Sequence, residues 1–280
     1  MKIRRITLIV LLVLTALFLA DVRFFKIEQY FSRQDFLGTG QNLVRFRGVP
    51  GLVSLHHKVE KEQNFSRSQG ELTSLVVEGL FGKIELRSTD GTELNVLATV
   101  LAEDEAILRQ LEVVETVSGT EIRYELSGNV EKTGSQEYGV NYVVEVPAGM
   151  EVRLEQNFGS VDIMGFVGFL DLEANFSEVS IHGLQGSAAI ESQFGVLNLR
   201  EIAGPLTLDA NFTTSLIDLL SIDGGYSFQI DVSSGTLGGN IPLHKSSKQN
   251  MIVAHGNSGD GVHPILVRSN FGNVTLNLSK

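Results

Sequence analysis

Acidic residues recur at a fixed interval along the second half of the chain. Glu155, Glu173, Glu191 and Asp209 stand eighteen residues apart, and Asp231 follows after a four-residue insertion. Each directly follows an apolar residue: Leu154, Leu172, Ile190, Leu208 and Ile230. Neighbours in a strand point to opposite faces, so burying the apolar residues lines the acids up outside. Aligned carboxylates offer oxygen ligands to a hard cation such as calcium. They could equally meet a basic partner surface or a positively charged wall polymer. The bland alternative is a solvated face, where flexible acids splay apart and water screens them. The six histidines (His56, His57, His182, His244, His255, His263) show no HExxH spacing or other partner pattern. "GNSGDG", Gly256 to Gly261, resembles one copy of a calcium-binding Gly/Asp loop and reads as a tight turn. GxSxG, GxxxxGK[ST] and GxGxxG are absent, and with no cysteine there is no thiolate nucleophile or thiolate metal site. Only Arg153 and Arg200 are cationic between Val152 and Leu220, which argues against a polysaccharide lyase. These residues predict no catalytic site and no cofactor beyond a calcium ion on the acidic column.

The elements that carry the acids repeat with them. Val152, Leu170, Ala188 and Leu206 fall in one column at period eighteen, and Leu154, Leu172, Ile190 and Leu208 in a second. Val161, Val179 and Leu197 form a third, which Ser215 interrupts, and Ile163, Ile181, Leu199 and Ile217 a fourth. Phe166, Leu184, Ile202 and Leu220 close each repeat, and Gly168, Gly186 and Gly204 mark its bend. Apolar alternation within a repeat is strand periodicity. Repeats of this length predict an all-β fold, a single-stranded parallel β-helix or β-solenoid with coils of about 18 residues, wound right-handed. Phe158, Phe176, Phe194, Phe212 and Phe271 share one register, which predicts a ring stack in the core. The residues before them, Asn157, Asn175, Gln193, Asn211 and Asn270, predict an amide ladder along the stack. Two of the chain's Asn-X-Ser/Thr sequons, at Asn175 and Asn211, are simply this repeat step.

The template extends upstream to Leu75, Val77, Phe81, Ile84 and Leu86, and downstream to Phe228, Ile230 and Leu237, with Ser234-Gly235 at the corner. It returns at Ile265, Val267, Phe271, Val274 and Leu276 as the last coil, where Arg268 takes the acid's slot and ends the column. The β-domain therefore spans 72–280. "EDEAILRQLEVV" predicts a short helical turn, and Ser127–Gly139 a polar loop. Residues 1–25 carry Lys2, Arg4 and Arg5 before the apolar run Ile6–Ala20. Ala20 would serve at −1 of a cleavage site, but Phe18 sits at −3, so this predicts an uncleaved signal-anchor. The rest of the chain would then lie outside a cell membrane spanned once, with residues 26–71 as a juxtamembrane stalk. Cleavage and secretion is the alternative. A net charge of −11 argues against nucleic acid as a partner.

"EVPAGMEVRLEQNFGSVDIMGFVGFLDLEANFSEVSI" and "AEDEAILRQLEVV" resemble the bacterial "putative adhesin" domain of unknown function. That family carries a VPxG turn followed by tandem coils and a short acidic insertion. The chain departs from it in using Asn-Phe-Gly or Asn-Phe-Ser where Ser-Gly is usual. The resemblance implies a β-helical cell-envelope protein without catalytic residues. The expected role is an adhesion, scaffold or envelope-interaction module, binding an envelope protein, a cell-wall polymer or another copy of itself. An envelope-stress accessory and a carbohydrate-active enzyme are the alternatives.

Overall fold

The computed structural model describes residues 59–128 and 138–279. The expected anchor and most of the expected stalk and polar loop lie outside the described residues. Within these the chain is all-β, forming one large sheet that does not close into a barrel. No helix among the described residues is long and apolar enough to cross a membrane.

Strand β8 (Glu151–Gln193) runs through more than two repeats; β9 (Val196–Ala203), β10 (Leu206–Asn211) and β11 (Thr214–Leu220) continue them. Pairing is parallel and offset by one repeat. Ile190 lies opposite Leu208, Ile181 opposite Leu199 and Val196 opposite Thr214. Each repeat is thus a rung lying on its own equivalent, and the inward columns stack Leu on Ile on Leu. Leu154, Leu172, Ile190 and Leu208 are 0–2% exposed, as are Ile163, Ile181, Leu199 and Ile217. Each such side chain leaving water contributes roughly 1.5–3 kcal/mol. A bulge between Ile217 and Leu219 sets Leu219 opposite Ile202. Leu219 therefore closes its rung, fully buried, and Leu220 is turned outward, contrary to the strict eighteen-residue column.

Spatial order also departs from chain order. Strands β16 (His263–Asn270) and β17 (Asn273–Ser279) lie directly on β10 and β11. Strands β12 (Tyr226–Ser233) and β13 (Thr236–Gly239) pair with β16 and β17 from the other side. The C-terminal rung is thus inserted between the two that precede it in sequence. The rung of β12 and β13 is then covered by antiparallel β15 (Met251–Ser258) and β14 (His244–Lys248). At the opposite end β2 (Ser74–Leu80) and β3 (Lys83–Thr89) lie on β8, with Leu75 opposite Val152 and Ile84 opposite Val161. Strands β6 (Glu121–Gly128) and β7 (Tyr138–Pro147) pair beyond them in parallel. Antiparallel β1 (Val59–Ser68), β4 (Glu93–Ala102) and β5 (Leu111–Ser118) complete this end. Strand β1 lies upstream of residue 72, so the sheet begins earlier than the repeat does. The acidic insertion forms α1 (Glu105–Leu108), capped by the Asp104 carboxylate, which accepts from the N–H groups of Ala106 and Ile107.

Candidate functional site

The phenylalanine column stacks as expected, but on the outside. Phe158, Phe176, Phe194, Phe212 and Phe271 are 38–58% exposed, and Phe81 is half-buried. The backbone explains this correction to the predicted core stack. These five residues have φ between 52° and 61°, and Phe81 and Ser234, at the same corner, have 47° and 53°. The left-handed residue turns the chain and breaks the alternation. Inward residues before the corner are even-numbered (Leu154, Gln156) and those after it odd-numbered (Val161, Ile163). Asn157 and Phe158, at the phase change, both face out.

A left-handed residue other than glycine costs about 1–2 kcal/mol. Ring stacking offsets it. From Phe81 through Phe158, Phe176, Phe194 and Phe212 to Phe271, centroids are 4.8–5.0 Å apart and planes within 5–18° of parallel. Each such contact contributes about 0.5–1.5 kcal/mol. The rings form a ridge about 25 Å long, one per strand spacing. Their faces are turned to each other and their edges to solvent.

Beneath the ridge lies a column of buried polar residues that an apolar pattern does not reveal. Gln156, Ser177, Ser192, Thr213 and Ser269 are 0–3% exposed. The Ser177 hydroxyl donates to the Asn175 carbonyl (2.8 Å), Thr213 to the Asn211 carbonyl (3.0 Å) and the Gln156 amide to the Gly82 carbonyl (3.1 Å). The Gly82 and Asn211 carbonyls also accept from the Ser160 and Phe194 N–H groups, so the side chain there fills the oxygen's second lone pair at the bend. The sequence signal of these buried polar residues is a complementary pair around five of the six ridge phenylalanines: Gln156 with Gly159, Ala174 with Ser177, Ser192 with Gly195, Ala210 with Thr213, Ser269 with Gly272. Each of these five corners holds one polar side chain, from alternate sides of the ring; the Phe81 corner has Gly79 and Gly82 instead. A Cβ on Gly195 would stand 2.3 Å from the Ser177 carbonyl oxygen, and one on Gly159 2.5 Å from the Gln156 amide nitrogen.

The amide ladder forms where Asn175 donates to the Asn157 side chain (3.2 Å) and Asn270 to Asn211 (2.8 Å). Gln193 stands in the same column, exposed. Beside it runs the acidic column: Asp209 lies opposite Glu191, and Glu78 extends the column by lying opposite Glu155. Arg268 does not end it. Because the C-terminal rung is inserted, Arg268 stands between Asp209 and Asp231. Glu155 pairs with Arg153 (3.1 Å) and Glu78 with Arg123. Asn175 donates to Glu173 (3.0 Å) and Asn211 to Asp209 (3.3 Å), which draws both acids toward the ridge. The acids form a line without converging. Among the described residues no three His, Asp or Glu could hold a metal ion together.

Of the described histidines only His244 and His255 face each other, across β14 and β15. His182 lies 3.6 Å from Glu201, the His244 and His255 rings are 5.7 Å apart, and a ring nitrogen of His263 meets the Asp223 carbonyl. His56 and His57 lie outside the described residues. Of "GNSGDG", residues 256–258 end β15 and residues 259–261 enter the turn to β16, with Gly259 and Gly261 at positive φ.

On the ridge's other flank Lys83 bridges Asp162 (2.6 Å) and Glu85 (2.8 Å). Glu178, two residues after Phe176, has its pKa raised by partial burial of the carboxyl and by the Asp162 charge. A carboxyl with a raised pKa favours folding below its unfolded value, about 4.3, and opposes it once pH passes the folded value. Glu178→Gln should therefore melt slightly higher than wild type at pH 7, with the gain vanishing by pH 4. Melting curves across that range check it; a gain persisting at pH 4 would reject the assignment.

No family model and no curated protein matches the chain. Solved structures do. One is a "putative cell adhesion protein" from Clostridium sporogenes, 11% identical, covering 79% of this chain and 100% of its own, with a TM-score of 0.43. A "putative adhesin" from Bacteroides fragilis is 13% identical, covering 78% of this chain and 97% of its own, with a TM-score of 0.25. A "putative lipid binding protein" from Parabacteroides distasonis is 13% identical, covering 79% and 97%, also with a TM-score of 0.25.

Proposed function

We propose that the chain is a β-solenoid binding module of the cell envelope, of adhesion or scaffold type, and that the phenylalanine ridge is its contact surface. The eighteen-residue parallel register supports the solenoid reading. The cationic N-terminus and its apolar run support membrane attachment with the β-domain on the extracytoplasmic side. One observation carries the binding reading. Five of the six stacked rings are exposed, in a backbone conformation that disfavours them. Asparagine or glycine would hold the same corner with less strain and no exposed apolar surface. Contiguous exposed apolar surface of this kind marks interaction sites.

The test places a photocrosslinking side chain at Phe194 of the full-length protein expressed in a bacterium. The control position is Arg200, outward on the same rung beyond the ridge. Adducts with envelope components from position 194 and few from 200 are expected. Equal yields from both, or none from either, would overturn the reading.

A further inference from the structure

We propose that the ridge receives a basic amphipathic helix of a partner protein, with the helix's apolar stripe along the rings and its lysines or arginines over the acidic column. The proposal rests on the reading of the ridge as a contact surface and names its occupant. Charge selects the sign of the partner. Beside the central rings Phe176, Phe194 and Phe212 stand Glu173, Glu191 and Asp209. Among the described residues none of these three acids has an ion-pair partner within 4.0 Å, in contrast to Glu78 and Glu155 at the ridge's end. Two of the three lean toward the ridge through Asn175 and Asn211. Two ridges packed antiparallel would oppose acid to acid, and packed parallel would set the acids against the flank of Glu85, Asp162 and Glu178, which Lys83 alone offsets; both disfavour a second copy.

Geometry selects the secondary structure. Rings recur every 4.8–5.0 Å, and a helix laid along them repeats about every 5.4 Å. One apolar residue per turn at i, i+3, i+4 and i+7 therefore stays close to one ring per turn. About 25 Å of ridge matches roughly 16 helical residues. An extended segment laid the same way repeats its side chains about every 6.6–6.8 Å and falls out of step within two residues. A sugar needs ring faces, and here the faces are covered by neighbouring rings.

The probe is a labelled synthetic 18-residue Leu/Lys helix, with a Leu/Glu helix of identical pattern and a Gln/Lys helix as controls. Binding to the immobilised full-length chain is read as the difference between wild type and variants, so any contribution of the N-terminal segment cancels. Phe176→Asn/Phe194→Asn removes two rings while keeping a residue that accepts the left-handed corner; Glu173→Gln/Glu191→Gln removes charge alone. Variant melting curves verify folding. The Leu/Lys helix is expected to bind wild type at least tenfold more tightly than the Asn variant. The Gln variant should lose severalfold affinity and most of the salt dependence. The Leu/Glu and Gln/Lys helices should bind at least tenfold more weakly than Leu/Lys. Equal affinity for wild type and the Asn variant, or for Leu/Lys and Leu/Glu, overturns the proposal. So does a ridge that shows no helix preference and crosslinks at position 194 to a second copy. If position 194 still captures envelope components while Leu/Lys shows no preference, the occupant is wrong and the contact surface stands. If neither occurs, both readings fall.

Discussion

Gly204→Ala should destabilise the β-domain by roughly 3–5 kcal/mol, the combined scale of backbone strain and forced overpacking. Gly204 has φ +142°, and a Cβ there would stand 1.8 Å from the Gly186 carbonyl oxygen. Gly186 has φ +133°, and its Cβ would stand 2.0 Å from the Gly168 carbonyl oxygen. These glycines lie on one another at the second bend, backbone against backbone, and a carbonyl of a paired strand cannot rotate away as a side chain could. Gly165 is the internal control. Its φ is +61°, and a Cβ there would meet nothing within 4 Å. Gly165→Ala should cost about 1 kcal/mol, the conformational penalty alone. Urea unfolding monitored by β-sheet circular dichroism separates the two, provided m is unchanged. A Gly204→Ala loss no larger than that of Gly165→Ala would show that the rungs do not stack as closely as described.

The two kinds of corner differ in how legible they are in sequence. Gly168, Gly186 and Gly204 announce themselves, because a glycine at a fixed interval means close approach or positive φ. The phenylalanine corner hides, because Phe is an unusual residue for a left-handed bend and a usual one for a core. Its signal was present in the spacing. Leu154 to Val161 is seven residues, and an odd interval between inward positions requires a phase change between them. Strict alternation carried past that change puts Phe158 inside. The complementary pairs, such as Ala174 with Ser177 and Ser192 with Gly195, are likewise visible once the corner is located.

The acidic column was legible as a column because its residues sit on the strand before the corner, where alternation holds. Its order was not. Nothing in the spacing of Asp209, Asp231 and Arg268 reports that the last rung folds back between the two before it. The insertion has a physical consequence. It sets one arginine between two aspartates and leaves it away from Glu173 and Glu191 at the centre of the ridge.

The same residue type, buried at one position and exposed at another, gives the sharpest test of which way the chain faces. Phe166 is fully buried and Phe194 is 40% exposed. Phe166→Ala should cost about 3–5 kcal/mol, the usual range for a large core aromatic replaced by a methyl group. Phe194→Ala loses two ring contacts, those to Phe176 and Phe212. Alanine inherits the left-handed backbone, so the loss should be about 1–3 kcal/mol, two stacking contacts' worth. Phe194→Asn loses the same contacts and relieves part of the strain, so it should be the milder of the two. A double-mutant cycle isolates the stack itself. Phe176→Ala and Phe194→Ala share one ring contact, so the double mutant should lose less than the sum of the singles by about 0.5–1.5 kcal/mol. Phe158→Ala and Phe212→Ala share none and should add. Unfolding free energies for these variants decide the placement. A Phe194→Ala loss matching that of Phe166→Ala would return the ring to the core, and additive Phe176 and Phe194 would dissolve the ladder into independent side chains.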